Sequence, residues 1–322
     1  NAIKLAGNNQ KISHLERKKV QQEIRFGITG LYLEIQKLLN QKQILEKNIA
    51  QTQKMILQIS TKNEQGVALK NNVTRYELQK QTLEVNYLKL TNTLQILNNE
   101  LVKLIQLPVG TQLDLQEISE AEQFLSVENI SEENWNAIAQ ANAPELQKAL
   151  LEVENSKTKQ NLVKAENRPQ VFGFASNHLN GPVMIEIPVL DNNFNYWYVG
   201  MGVKYDIASL YKNKAKREQV NSYALIAQEQ ELNVKDKLAL EIESANIRFS
   251  ETLNVYKTQL TKLELARENY DVVQNRYLNQ LSLITEMMDA ENTKLDAEIQ
   301  VENAKINILF HYYQLKKIAG IL

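Results

Sequence analysis

The sequence predicts a mainly α-helical fold that contains two long coiled-coil helical hairpins and one β-hairpin. Four segments of the chain carry apolar residues at alternating intervals of three and four, which is the spacing of a coiled-coil seam. The second pair of segments repeats the first pair 214 positions later, so that Lys80 corresponds to Lys294. Strict alternation of side chains in Tyr196–Asp206, YWYVGMGVKYD, predicts a β-strand.

The first long helix begins the first predicted hairpin. Ser13 and Glu16 resemble a capping box, so we expect the helix to start at Ser13 and to run to about Lys62. Ala2–Leu5 are expected to be the tail of a strand. The ascending seam is Ile24, Ile28, Leu31, Ile35, Leu38, Leu45, Ile49, Ile56 and Ile59.

The turn of this hairpin is predicted in residues 63–69, where Gly66 suits a positive φ. The descending helix is expected to end at Leu107-Pro108, and Lys80 interrupts its seam. The seam residues are Val73, Tyr76, Leu83, Tyr87, Leu90, Leu94, Leu97, Leu101 and Leu104.

The second hairpin has its turn within Tyr277–Leu295, and both arms are expected to exceed the average globular helix in length. Lys294 and His311 are its polar seam members. A lysine at a seam sets register or extends to solvent, with a lumen-facing role as the alternative, and His311 is expected to be packed. The seam residues are Leu238, Ile242, Ala245, Phe249, Tyr256, Leu263, Ala266, Tyr270, Val273 and Tyr277, then Met287, Ala290, Ala297, Val301, Ala304, Ile308, Leu315 and Ile318.

Between the hairpins the seam is lost. Residues 108–130 alternate weakly and are expected to include a short strand, followed by a short helix around Trp135 that Ser131-Glu132-Glu133 opens. Another helix is expected to start at Ala143-Pro144-Glu145 and to stop before Arg168-Pro169. The predicted domains are 1–107, a strand remnant and the first helical hairpin; 108–168, a short-helix region; 169–207, a β-hairpin; and 208–322, the second helical hairpin.

The β-hairpin is predicted from Val171–Phe174, which is strand-like, and from the alternating strand that follows. Eleven alternating residues with aromatic side chains at the end suit a transmembrane β-strand. We therefore predict Tyr196, Trp197 and Tyr198 as an aromatic girdle at a membrane interface. The alternative is a soluble hairpin packed on the helices.

Composition excludes several classes of function. The 37 basic and 38 acidic side chains nearly balance, so nothing favours nucleic-acid binding. The chain has no cysteine and three histidines, which excludes thiol chemistry and leaves no metal-binding motif. No apolar run is long enough for a transmembrane helix. We found no catalytic residues and predict no metal, no cofactor and no enzymatic activity.

An ordered set of motifs resembles the TolC-like outer-membrane efflux protein family. The set comprises Ala143-Pro144-Glu145-Leu146 leading into a helix that ends at Arg168-Pro169, Trp197-Tyr198-Val199-Gly200, Ile284–Ala290 at the second turn, and Gly320 after the last helix. The resemblance covers essentially the whole chain, from the end of an expected upstream β-hairpin, missing here, to the end of the second helical hairpin.

The resemblance implies a homotrimer. Its helical hairpins would form a periplasmic α-barrel, and its strands would join a β-barrel in outer-membrane lipid. The family passes solutes outward as the channel of a tripartite efflux or type I secretion system, together with a periplasmic adaptor (membrane fusion protein) and an inner-membrane pump. An outer-membrane location follows, with most of the chain in the periplasm of a Gram-negative cell.

The resemblance also assigns candidate site residues at the two turns. Glu286 and Asp289 match the acidic pair that closes the periplasmic end. Tyr277 matches the latch tyrosine, while Asn72 stands in place of its carboxylate partner and Ser282 in place of the latch arginine. Both turns match the segments that meet the adaptor, namely Gly66, Val67, Ala68 and Leu69, and Gln280, Leu281, Ser282 and Leu283.

Simpler explanations stay open for these residues. Glu286 and Asp289 share a helix face and also suit a solvated helix start, where acids are favoured. For the whole chain, the alternative is a soluble coiled-coil periplasmic adaptor or scaffold protein. Adaptors of that kind carry one helical hairpin, whereas this sequence predicts two.

Overall fold

The computed structural model describes residues 1–108, 110–116, 134–181 and 193–322. Within them the chain is mainly helical with a two-stranded sheet, as the sequence predicted. The elements in chain order are α1 (Ala2–Glu64), α2 (Lys70–Leu104), α3 (Trp135–Asn142), α4 (Pro144–Glu166), β1 (Gln170–Asn180), β2 (Phe194–Lys204), α5 (Ser209–Leu278) and α6 (Ile284–Ile318).

The two helical hairpins are α1–α2 and α5–α6, and their helix bounds confirm the predicted repeat. Adding 214 to the ends of α1 and α2, at Glu64 and Leu104, gives Leu278 and Ile318, where α5 and α6 end. The same shift carries the start of α2 onto the start of α6. The chain therefore makes the same turn twice with different residues.

The backbone at the turns repeats as well. Gly66 has φ +74° and its counterpart Gln280 has φ +61°, while Gln106 has φ +59° and its counterpart Gly320 has φ +77°. In each pair a glycine in one hairpin corresponds to a glutamine in the other. Since L-residues rarely adopt positive φ, the repeated geometry is dictated by the helical hairpin rather than by glycine alone.

The chain divides into two compact units, residues 1–16 with 145–235 and residues 17–144 with 236–322. The second unit contains most of the predicted seam, and its apolar side chains pack in clusters along the helices. The cluster nearest the turns, called the tip cluster here, comprises Met55, Ile56, Ile59, Tyr76, Tyr270 and Met287. Two further clusters include Leu33, Ile306 and Leu309, and Leu45, Leu83 and Leu90.

The seam prediction is wrong near two helix positions. Ile24 is 56% exposed and Leu104 is 51% exposed, although both fit the heptad spacing. A seam position is buried only where another helix covers it, and spacing within one helix does not report how far that cover extends.

Hydrogen bonds to Asn98 on α2 hold the segment that follows this helix, in the second unit. The Asn98 side chain donates to the Thr111 carbonyl at 2.9 Å and accepts from the Leu113 amide at 3.1 Å. Residues 110–116 form no strand, whereas the sequence predicted a weak one; residues 117–130 and the helix-opening Ser131–Glu133 lie outside the described residues. Asn134 instead caps α3 by accepting from the Ala137 amide at 3.1 Å.

The start of the chain, in the first unit, corrects the sequence prediction. Ala2–Leu5 are helical, not a strand, and α1 begins at Ala2 rather than at Ser13. The Lys4 ammonium lies 2.8 Å from the Glu154 carboxylate on α4, and Asn8 donates to the same carboxylate at 3.1 Å. These cross-helix contacts stabilise a helix where the sequence suggested the tail of a strand.

The β-hairpin belongs to the first unit and pairs β1 with β2 in antiparallel register, with Asn177 opposite Trp197. The predicted alternation is confirmed. One face carries Val199, Met201 and Val203 with Trp197; on the other, the Phe174 and Phe172 rings lie over Gly200 and Gly202. The glycines leave room for these rings, an arrangement that stabilises strands containing glycine.

Candidate functional site

The two turns between long helices are the first candidate site, and both present apolar side chains to solvent. Val67 and Leu69 are exposed in the first turn, and Leu281 and Leu283 are exposed in the second. Each turn is closed by equivalent backbone bonds, from the Val67 amide to the Lys62 carbonyl and from the Leu281 amide to the Arg276 carbonyl, both 2.8 Å. These bonds fix the backbone conformation of each turn and thereby the positions of its exposed apolar side chains.

Glu286 and Asp289 are both exposed and lie near the start of α6. The Ser282 hydroxyl donates to the Glu286 carboxylate. This bond lowers the pKa of Glu286, and the nearby Leu283 backbone and Arg276 act in the same direction. The carboxylate at this turn is therefore well suited to stay ionised at acidic pH.

Tyr277 and Asn72 are half-buried, but the structure does not bring them together as a latch. Tyr277 packs against the tip cluster, and burial raises its pKa. The Asn72 amide donates to the Leu69 carbonyl at 2.9 Å, which belongs to the start of α2. Among the described residues no hydrogen bond joins the Asn72 and Tyr277 side chains. The ends of the two hairpins are instead connected by the Lys62 ammonium, 3.4 Å from the Leu278 carbonyl.

Sequence reasoning missed a buried polar group beside these residues. Glu291, on α6, is only 5% exposed, and its neighbours include Tyr76 on α2 and Tyr270 on α5. Its Oε2 atom and the Tyr76 hydroxyl have no hydrogen-bond partner among the described residues. Glu291 follows the seam residue Ala290 directly, and this adjacency was the available signal, since a second helix packing beside a seam buries the next position.

The two seam lysines occupy different surroundings. Lys80 pairs with Glu84 at 3.4 Å on its own helix. Lys294 lies over the Tyr270 ring, with its Nζ 4.2 Å from the ring centroid, in a cation–π contact. Lys294 therefore packs between helices, in agreement with a register-setting role. His311 is partly buried, and its Nδ1 lies 3.1 Å from Gln314 Oε1.

The aromatic residues of β2 divide between the two faces of the hairpin. Trp197 is 74% exposed on the apolar face, whereas Tyr196 and Tyr198 lie on the other face. The His178 ring stacks on both tyrosines, with centroid distances of 5.4 and 5.6 Å. The three residues predicted as a girdle therefore lie on both faces, Trp197 on one face and Tyr196 and Tyr198 with His178 on the other, and their place at a membrane interface stays a prediction.

Two further features are absent from the described residues. No cluster of three or more His, Cys, Asp or Glu side chains with the arrangement of a metal site occurs in the part of the chain that the structure describes. In the same residues, no helix has an apolar stretch long enough to cross a bilayer.

Solved structures of outer membrane proteins share the fold of this chain. The chain resembles VceC of Vibrio cholerae, an outer membrane protein, with a TM-score of 0.77 and 12% identity over 99% of this chain and 75% of that one. It also resembles the open state of the MtrE outer membrane channel of Neisseria gonorrhoeae, with a TM-score of 0.74 and 14% identity over 99% and 71% of the two chains.

A third solved structure is the CmeC outer membrane channel of Campylobacter jejuni, with a TM-score of 0.70 and 11% identity over 98% of this chain and 66% of that one. No protein-family model and no curated protein matches the sequence. At these identities the comparison establishes the fold: this chain has the TolC-like fold of outer-membrane efflux channels.

Proposed function

We propose that this chain is a protomer of an outer-membrane channel that passes solutes outward as part of a tripartite efflux or type I secretion system. The observation that carries the proposal is the fold match over nearly the whole chain to channels of this class. No enzymatic step is required for this function, and the residues at the turns offer surfaces for docking and gating rather than for catalysis.

The β-hairpin supports the membrane part of the proposal. The apolar side chains of Trp197, Val199, Met201 and Val203 are all strongly exposed in the single chain. Each strand also has one edge without a neighbour among the described residues. In lipid every backbone polar group must be paired, so such strands need further strands from other copies or segments to close a barrel. We propose that outer-membrane lipid covers the apolar face.

A second apolar stripe supports the oligomer. Leu78, Val85, Leu88 and Ile96 are exposed along α2, and their spacing matches one helix face. This stripe lies apart from the seam that packs inside the hairpin, whose members Leu83 and Leu90 are buried. We propose that it packs against another copy of the same chain, with three copies enclosing the duct.

The turns are the proposed ends of that duct. We propose that the exposed Val67, Leu69, Leu281 and Leu283 meet a periplasmic adaptor, which connects the channel to an inner-membrane pump. Glu286 and Asp289 would line the narrow opening and favour the passage of cations. Tyr277 belongs to the same end, where it joins the two hairpins by packing rather than by a bond to Asn72.

The test is conductance of the full-length protein in planar lipid bilayers. We expect stable ion-conducting steps from the purified oligomer and none from protein heated to lose its helical signal. The soluble adaptor or scaffold is the competing function. The channel proposal would be wrong if the protein stays in the aqueous phase, does not bind outer-membrane lipid vesicles and never conducts. That result would favour the competing function.

A further inference from the structure

We propose that Glu291 acts as a proton-operated lock between the two helical hairpins. In the neutral form it is packed between them beside the tip cluster, and its ionisation loosens that contact. The proposal concerns the packing of this chain, and its test does not depend on the chain being a channel.

The geometry around Glu291 is unusual for a carboxyl group. The side chain is 5% exposed, and the Tyr76 side chain that faces it from the other hairpin is fully buried. Neither Glu291 Oε2 nor the Tyr76 hydroxyl has a partner of normal hydrogen-bond geometry in the described part of the chain. The Tyr76 hydroxyl is nevertheless close enough to act on the Glu291 carboxyl and to lower its pKa. A buried polar atom without a partner requires a physical explanation, and an unpaired buried carboxylate is strongly disfavoured.

The groups that face Glu291 offer little to hold a negative charge. From α5, Tyr270 contributes a ring and a hydroxyl, and α1 contributes the apolar Met55, Ile56 and Ile59 to the cluster. On its own helix, Lys294 is one turn away, but its ammonium lies over the Tyr270 ring rather than in an ion pair with the carboxylate. Nearby Gln79 donates to Asn292 at 3.2 Å, and its own buried Oε1 lacks a partner.

The tyrosines of this region stay neutral across the physiological range. Burial raises the pKa of Tyr270 to about 12, and the charges of Glu291 and Asp271 contribute. Burial raises the pKa of Tyr76 further, and the charge of Glu291 acts in the same direction. Burial also raises the pKa of Tyr277. Glu291 therefore differs from these three tyrosines, because its carboxyl is the group beside the tip cluster that changes charge at the lowest pH.

Burial raises the pKa of Glu291, while the Tyr76 hydroxyl and the charge of Lys294 lower it by less. The pKa of Glu291 is raised when the hairpins are packed together. Packing is therefore most favourable below the ordinary pKa of a glutamate, where Glu291 carries the proton in both the packed and the separated state. The stabilisation is lost as the pH rises through the raised pKa. Separating Tyr76 from Glu291 would return the carboxyl to water, so ionisation favours separation of the hairpins at this point.

The absence of cysteine makes the separation measurable. We would place spin labels at Val67→Cys and Leu281→Cys, one on each turn, in the full-length protein, and measure their distance by pulsed electron paramagnetic resonance from pH 4.5 to 8.5. The expected result is a distance distribution that shifts to longer values as the pH rises. With Glu291→Gln, which keeps the neutral shape, we expect the short distance at every pH.

Two further variants distinguish a proton lock from ordinary packing. Glu268→Gln makes the same change at an exposed site on α5, and we expect it to follow the parent profile. Tyr76→Phe removes a hydroxyl that lowers the Glu291 pKa, so we expect the opening transition to move to higher pH. This shift is independent of whether Glu291→Gln folds well, which circular dichroism would check.

A distance that does not change with pH in the parent would overturn the proposal. A parent and Glu291→Gln with the same pH profile would do so too, and so would a Tyr76→Phe transition that moves to lower pH. None of these outcomes requires conductance, so the lock and the channel function can fail separately.

Discussion

Glu286 and Glu291 lie on the same helix, yet their surroundings shift their pKa values in opposite directions. Glu286 is exposed, and the Ser282 hydroxyl holds its pKa low. Glu291 is buried against Tyr76, and burial raises its pKa. The first residue suits a permanent charge at an opening, and the second suits a charge that depends on pH. A single helix can thus carry both kinds of carboxyl group because environment decides which form each prefers.

The proposed role of charge at the opening of the channel can be tested at Glu286 and Asp289 together. In planar bilayers we expect the parent channel to favour cations and to be blocked by divalent cations. Glu286→Gln with Asp289→Asn should weaken both properties. The matched control removes two exposed carboxylates elsewhere, Glu264→Gln with Glu268→Gln, and should leave both unchanged. If the turn variant keeps the selectivity and block of the parent, the two residues are helix-start acids only.

Ser282 determines the pH range over which we expect cation selectivity to be lost. The lowered pKa of Glu286 keeps its charge down to more acidic pH than an ordinary glutamate, and the charge is lost as the pH falls through that lowered pKa. Ser282→Ala removes the largest cause. We expect the loss of cation selectivity on acidification to begin at higher pH in Ser282→Ala than in the parent, as measured from reversal potentials. The same onset in both proteins would contradict this role for Ser282.

Gly320 and Gly66 provide a comparison between two glycines with positive φ. An L-residue in this region costs roughly 1–2 kcal/mol. A Cβ at Gly66 would meet open space, whereas at Gly320 it would collide with the Asn142 carbonyl and lie 2.9 Å from the Ala143 Cα. We therefore expect Gly320→Ala to lower the thermal unfolding temperature more than Gly66→Ala, as followed by circular dichroism. Equal losses would mean that the backbone at Asn142 moves aside without cost.

At the scale of elements, the sequence predicted the helical hairpins well because their signal is periodic and repeated. The seam register placed the turns within a few residues, and Gly66 marked the first of them. The sequence failed at Ala2–Leu5, where the deciding contacts come from Glu154 on a helix distant in sequence. The sequence also did not predict the burial of Glu291, because the side chain that covers it, Tyr76, lies on a helix distant in sequence. The spacing of one helix predicts its own buried stripe, but the width of that stripe is set by the partner helix.

The second turn holds a glutamine, Gln280, in a backbone conformation that favours glycine. Gln280 occupies the positive-φ position that glycine holds in the first turn. We expect Gln280→Gly to raise the free energy of unfolding by about 1 kcal/mol, because glycine adopts this conformation without the steric cost. Asn279→Gly, one residue earlier at a position without positive φ, should lower it instead, since glycine there adds freedom to the unfolded chain and removes the side-chain bond to the Asn275 carbonyl. Thermal unfolding of both variants provides the measurement, and a destabilised Gln280→Gly would show that the Gln280 side chain has a stabilising contact of its own.

At the scale of the whole molecule, the single chain exposes more apolar surface than its helices need for packing within a hairpin. Large apolar side chains are exposed on α2, α5 and both strands. Scattered exposed apolar residues are ordinary in soluble proteins, whereas contiguous stripes mark surfaces that another molecule covers. Leu78, Val85 and Leu88 of the α2 stripe have the spacing of a second coiled-coil seam, which favours another helix as their partner over lipid.

Polar substitutions along this stripe should change the number of copies in the assembly. Leu78→Gln, Val85→Gln and Leu88→Gln together remove the apolar contacts of three exposed positions while leaving the buried Leu83 and Leu90 in place. Each fully buried leucine-sized side chain contributes about 1.5–3 kcal/mol to packing, so three changes per chain, repeated in every copy, should abolish stable association.

Sedimentation of the full-length protein in detergent would give the mass of the assembly, which we expect to be three chains for the parent and one for the triple variant. The control replaces three exposed polar residues on a neighbouring face of the same helix, as Arg75→Gln, Asn86→Gln and Thr93→Ser, and should sediment with the parent. Circular dichroism would check that the triple variant keeps its helices, because the altered side chains do not contribute to the seam inside the hairpin. A folded triple variant with the mass of the parent would place the contact between copies on another face, with the exposed stripe of α5, which includes Leu240, Ile247, Leu265 and Val272, as the next to alter.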